Sequence, residues 1–274
     1  SFMKTILVAT DFSPAATSAA NYAAEMALVI NAEVLLLHVY QIPVGYPEVP
    51  LPVSLEDMQI GADKQITELK VQLSKKTNNK LRIATEVRMG SFFKELKNVC
   101  ESVAPYAVII GSQGTTAAEH LFFGSNTVHA MKHLVWPLIT VPNGLIFSAI
   151  KKIGIACDFE KVVDTIPVDE IKMLVHDFNA ELHILNTGSE KEFKPELIPE
   201  SRSLQEMLGA LKPNFHFITN ENTDLGIIDF AEKNHIDLLI VFPKRHSLLD
   251  KIMHKSHTKQ LVLHTYVPVM ALHQ

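Results

Sequence analysis

Thr5-Ile-Leu-Val-Ala-Thr-Asp-Phe12 and Lys152-Ile-Gly-Ile-Ala-Cys-Asp-Phe159 are two versions of one stretch. Each is an apolar, β-branched run that closes on Asp-Phe, the pattern of a strand buried on both faces followed by a turn. Working outward, Asn31-Ala-Glu-Val-Leu-Leu-Leu37 matches Asn179-Ala-Glu-Leu-His-Ile-Leu185, Tyr106–Ile110 matches Asp237–Val241, and Trp136–Ile139 matches Val267–Met270. The order of the matches is the same in both halves, so the chain is an internal repeat. The offset is 147 or 148 for the early matches and 131 for the late ones, which leaves about 17 extra residues in the first half. They are expected near Tyr40 to Met58, where Pro43, Gly45, Pro47, Pro50 and Pro52 exclude helix interior and central strand and predict a long surface loop.

Each copy alternates short apolar runs with longer helical patterns. In the first, Ile6–Thr10, Val34–Val39, Arg82–Val87, Val108–Ile110 and Leu138–Val141 read as strands, and Pro14–Ile30, Leu55–Thr77, Phe92–Ser102 and Ser125–Leu134 as helices. Ser13 before Pro14 is a helix start, a capping hydroxyl followed by proline where no amide bond is lost. The alanine-rich helix that follows can lie close to a sheet. Such a β-α-β-α series predicts an α/β fold of two tandem doubly wound, five-stranded parallel-sheet domains with right-handed crossovers, over residues 1–145 and 149–274. Pro142–Lys152 is the boundary between them. In the second copy Pro167 falls where the first has helix interior, so its first helix is expected to start later, after Thr165.

The chain has 274 residues, 47% of them apolar, with mean hydropathy +0.14. No run approaches the ~18 apolar residues that span a bilayer, and no basic-then-apolar leader opens the sequence, so a cytoplasmic, membrane-free protein is expected. Cys100 and Cys157 sit in apolar stretches without a Cys-x-x-Cys pair, and both read as small core residues of a reduced protein. A net charge of -5 and a pI near 6.2 argue against a nucleic-acid partner.

Ligands of such sheets collect outside the carboxyl ends of the strands, where strand order reverses. There the first copy carries Gly111-Ser-Gln-Gly114 and then Gly124-Ser-Asn-Thr127, which opens a helix. Gly111, Gly114 and Gly124 are expected to allow positive φ and close approach of a ligand. The free amides of the helix start, with the hydroxyls of Ser125 and Thr127, suit a phosphate chain. The spacing Gly-x2-Gly-x9-Gly-Ser, together with Ile6-Leu-Val-Ala-Thr-Asp-Phe-Ser13, resembles the universal stress protein family over nearly the whole chain, once per copy. No Walker loop is present.

The resemblance implies a Rossmann-like, adenine-nucleotide alpha-hydrolase-like fold and an adenine-nucleotide partner: ATP, with Mg2+ as a further candidate. By position it implies that backbone at Ala9, Thr10 and Val39 holds the adenine and that Asp11 meets the nucleoside. Gly111, Gly114, Gly124, Ser125 and Thr127 would then hold ribose and phosphates. Asn126 stands where many members are apolar; it adds a donor or merely continues the helix start. Asp11 has a second reading as a local cap of the turn. No catalytic residue is assigned, because no nucleophile with a base lies near the glycines.

The second copy places Phe242, Arg245 and Lys255 at the three glycine positions and keeps only Ser256 and Thr258, so no nucleotide is expected there. Lys244, Arg245, His246, Lys251, Lys255 and His257 form a basic set, read either as a solvated face or as a charge-based anion site. His254 and His257 share a helix face, but no further ligand joins them at metal spacing, so no metal is assigned. The last strand of each copy, Pro137–Val141 and Pro268–Leu272, is an apolar edge expected to pair with the other within the chain, giving a pseudo-dimer. Three functions compete: a nucleotide-binding stress regulator, an interaction module that uses the proline loop and basic face with an unknown protein partner, and a slow ATPase or adenylyl-type transferase.

Overall fold

A computed structural model of the chain describes residues 3–42, 54–112, 123–157, 166–186, 209–218, 223–243 and 266–273. The first copy runs β1 (Thr5–Ala9), α1 (Pro14–Val29), β2 (Glu33–Tyr40), α2 (Leu55–Lys76), β3 (Ile83–Met89), α3 (Phe92–Val103), β4 (Ala107–Gly111), α4 (Ser125–His133) and β5 (Leu138–Val141). The second contributes β6 (Lys152–Cys157), α5 (Val168–Phe178), β7 (Glu181–Asn186), β8 (Asn214–Phe217), α6 (Thr223–Lys233), β9 (Leu238–Val241) and β10 (Val269–Ala271).

Local sequence explains the element ends. Ser13 caps α1 by accepting from the Ala16 amide, and Pro14 occupies its first turn. Ser54 caps α2 in the same way through Asp57; Glu56 and Asp57 lie in the first turn and Lys75 and Lys76 in the last, as the helix dipole favours. Helix α2 buries Ala62, Ile66, Leu69 and Leu73, one stripe at helical spacing. Helices α3 and α5 stop at left-handed residues, Ala104 and Asn179. The proline-rich connection runs from β2 to α2, which begins at Leu55 as its sequence pattern predicts. Strand β2 continues through Tyr40 and Ser54 caps the start of α2; residues 43–53 lie outside the described residues. In the second copy the helix after β6 begins at Val168, just past Pro167.

The strands form one ten-stranded sheet in the order β3-β2-β1-β4-β5-β10-β9-β6-β7-β8. Each half has the same doubly wound order, and every neighbouring pair is parallel except β5 with β10. That pair is antiparallel, with Val269 opposite Thr140, Met270 opposite Ile139 and Ala271 opposite Leu138. Left apart, each strand would present unpaired backbone along an apolar edge; joined, all of these residues are buried.

Two apolar cores lie on the two sheet faces, and each runs through both copies. One gathers α1, α2 and α5 side chains such as Ala23, Ile66 and Ile171. The other gathers α3, α4 and α6 side chains such as Val99, Met131 and Ile227. Polar contacts also cross between copies: Lys4 Nζ stands 3.3 Å from Asp177 Oδ1, and His273 Nε2 lies 3.0 Å from the Met131 carbonyl. Cys100 is buried against α3's neighbours, and burial pushes its thiol up to about 12. Among the described residues no helix is long and apolar enough to cross a membrane.

Candidate functional site

In each half the order reverses between the first and fourth strands, which in the first copy are β1 and β4. The helices that follow them, α1 and α4, pack on opposite faces of the sheet, the arrangement that opens a crevice. A cleft of about 720 Å³, its open mouth included, lies there. The end of β1 brings Ala9, Thr10 and Asp11; β2 brings Val39 and Gln41; β4 brings Ile110 and Gly111. The amino ends of three helices complete it: Ser13 and Ala16 from α1, Phe92 from α3, Asn126 and Thr127 from α4.

Seven of the ten residues expected at a site thus line one cavity: Ala9, Thr10, Asp11, Val39, Gly111, Asn126 and Thr127. Gly124 and Ser125 adjoin it as the cap and first residue of α4, while Gly114 lies outside the described residues. Gln41, Phe92 and Ile110 are additions that motif reading passed over. Their signal was positional, since each stands at a strand's carboxyl end or a helix's first turn.

The glycines do not all act as expected. Gly111 is the last residue of β4 and does not have positive φ. Its missing Cβ has another cause: a Cβ there would stand 2.5 Å from the Ala15 carbonyl oxygen and 3.0 Å from the Ala16 amide nitrogen. Glycine lets the alanine-faced start of α1 press on the strand. Gly124 has φ -67° and ψ 163°, extended backbone that any residue adopts. What it contributes is an α4 start without a side-chain cap, whose first amides have no partner inside the helix.

The β1–α1 turn is closely bonded. The Thr10 amide donates to the Leu37 carbonyl at 2.9 Å, and the Thr10 carbonyl meets His38 Nδ1 at 2.7 Å. Phe12 N–H donates to Thr10 Oγ1 at 3.0 Å, and Ser13 N–H to Asp11 Oδ1 at 3.0 Å. Asp11 therefore does close its own turn, the second reading given to it, while its exposed carboxylate still lines the cleft. Any base contact through the Thr10 carbonyl has to share that oxygen with His38.

Asp11 is the one charged residue of the described lining. Arg88, in register with Val39, is held aside by Glu86 at 2.7 Å and Glu95 at 3.2 Å; the Glu86 and then the Glu95 hydrogen bonds raise its pKa further. The donors that the described lining offers to an anion are helix amides and hydroxyls.

The second copy differs at the matching point. Phe242, the counterpart of Gly111, is 8% exposed and belongs to the core that also holds Ile166, Val168 and Ile171. Arg245, Lys255, Ser256 and Thr258 lie outside the described residues, as do His254, His257 and the basic set from Lys244 onward. Among the described residues no three of His, Cys, Asp or Glu are grouped to hold a metal.

Comparison with known proteins accords with this architecture. The family model of the universal stress protein family matches residues 3–142. The solved structure of a universal stress protein from Archaeoglobus fulgidus DSM 4304 superimposes with TM-score 0.71 at 15% identity, covering 98% of this chain and 98% of that one. A candidate universal stress protein from Pseudomonas aeruginosa UCBPP-PA14 gives TM-score 0.59 at 14% identity, covering 99% of this chain and 93% of the other. No curated protein matches the chain by sequence. The chain belongs to the universal stress protein family, and its fold is that of a tandem member.

Proposed function

We propose that the first copy, residues 1–145, binds an adenine nucleotide, ATP by preference, and that the second copy, residues 149–274, is a partner domain without a nucleotide. The carrying observation is the convergence of the β1, β2 and β4 ends with the starts of α1 and α4 on one cleft at the strand-order switch. Ala9, Thr10 and Val39 stand on the side for the base, Asp11 near the nucleoside, and Gly111, Gly124, Ser125, Asn126 and Thr127 on the side for ribose and phosphates. Gly114 belongs with this last group by sequence position. The described lining has no cation, so a triphosphate relies on the α4 amides, with Mg2+ as the natural counter-ion.

The reading is of a cytoplasmic regulator whose state depends on bound nucleotide, not of an enzyme. Ser13, the lining hydroxyl beside Asp11, is occupied in capping α1. The second copy supplies β10 to the apolar edge of β5 and makes the chain an internal pseudo-dimer.

Mass spectrometry of nucleotide released from freshly purified protein tests this, with Gly124→Lys alongside. The variant places the second copy's own residue at the start of α4. Gly124's extended backbone accepts lysine, so the change acts through its side chain. ATP in the native protein and none in the variant is expected. No nucleotide in either, with no uptake of added ATP, would sink the proposal and favour the interaction-module reading.

A further inference from the structure

We infer that His38, which does not line the cleft, is the positioning residue that holds the Asp11 turn in its binding shape, and that it does so as its Nδ1–H tautomer. The inference rests on the nucleotide reading above for its consequence, but its geometry stands independently.

A carbonyl oxygen only accepts, so the 2.7 Å contact between His38 Nδ1 and the Thr10 carbonyl requires the proton on Nδ1. Thr10 is 5% exposed, so water is a poor substitute for this partner. The same ring lies against Phe12, centroids 4.5 Å apart, and stacks towards Tyr40 at 6.4 Å. One imidazole therefore grips both sides of Asp11: the carbonyl before it and the aromatic ring after it.

Phe12 needs that grip. Its φ is +64°, a conformation costly to a residue with a Cβ. Two further bonds follow once it is in place, Phe12 N–H to Thr10 Oγ1 and Ser13 N–H to Asp11 Oδ1, and the second orients the carboxylate in the cleft. Without His38 the Thr10 carbonyl is left buried without this partner, and the left-handed Phe12 keeps its core contact but loses the ring lying against it. The turn then relaxes to conformations that no longer present Asp11. Because β1 and α1 are fixed by their own pairing and packing, the effect is confined to the site.

Nitrogen-15 NMR of the imidazole reads the tautomer directly. The Nδ1–H form is expected for His38, against the Nε2–H form that dominates free histidine; finding Nε2–H would overturn the inference. ATP affinity of His38→Leu and His38→Asn supplies the second test. The asparagine amide stands near the Nδ1 position and still donates. Leucine is expected to weaken ATP by about tenfold, the scale of an abandoned buried carbonyl, and asparagine to recover most of it. Equal losses in the two variants, or none in either, would overturn it. Should the native chain take no ATP, the nucleotide reading falls by itself. Hydrogen exchange at Phe12 and Ser13 in the leucine variant then decides this one: faster exchange supports it, unchanged exchange overturns it.

Discussion

Position 111 of the first copy and position 242 of the second are the same point of the same fold, and one holds glycine where the other holds phenylalanine. In the first copy a single Cβ would press into the backbone of α1 at Ala15. In the second a whole phenyl ring is buried, and the helix that follows the first strand begins only at Val168. Helix start and strand end are therefore one unit. When α1 begins early it presses on β4 and forms a wall of the cleft. When α5 begins late, a large apolar side chain completes the core. The second copy has kept the sheet order and holds a packed phenyl ring at the point where the first has a cleft-lining glycine.

The most disruptive way to challenge this contrast is Phe242→Ala. If the ring is a core element, its loss costs about 3–5 kcal/mol in urea denaturation and creates no ATP site. Gain of nucleotide binding by the second copy would break the comparison. Gly111→Ala comes next. Its methyl has to push α1 outward, with an expected loss of about 1–3 kcal/mol and weaker ATP uptake in a binding titration. Unchanged stability would show that the α1–β4 contact is not tight.

The smallest effect concerns acid. At the position of Leu35 in the first copy the second has His183, whose Nδ1 lies 2.9 Å from His216 Nε2 and whose Nε2 lies 3.1 Å from Glu181. One proton fits between two ring nitrogens; two do not. Burial, then the neighbouring His183 and Lys152, lower the His216 pKa from 6.5. A base favoured neutral by folding contributes stability that is whole above its unfolded pKa and is lost as pH falls from about 6.5 through the lowered folded value. Hydrogen-exchange protection, corrected for the intrinsic pH dependence of amide exchange, should therefore fall between pH 7 and pH 5 in β7 and β8 before β1 and β2, and His216→Gln should flatten that response. Equal acid response of the two halves would remove this difference between the copies.

Much of this was legible in the chain because it is local. Ser13-Pro14 starts α1, and the apolar runs around Ile6, Val34, Val108 and Leu138 are strands within a residue or two. Seven residues that line the cleft were legible because the doubly wound order brings strand ends and helix starts together by rule. Gln41 and Phe92 were not, since only their place at a strand end and a helix start marks them, and no motif does. The positive φ expected of Gly111 is absent, and a missing Cβ looks the same in sequence whether it makes room for a ligand or for a helix.

The sequence by itself determined the repeat, the order of strands and helices, and the loss of the second glycine set. These follow from side-chain period, caps and turn residues, which act over a few positions. Only the tertiary structure decided that Gly111 serves α1, that β5 meets β10 antiparallel with Met270 opposite Ile139, and that His38 reaches back to Thr10. Each depends on distances between segments far apart in the chain, and those distances are set by how two faces pack, not by what either residue prefers alone.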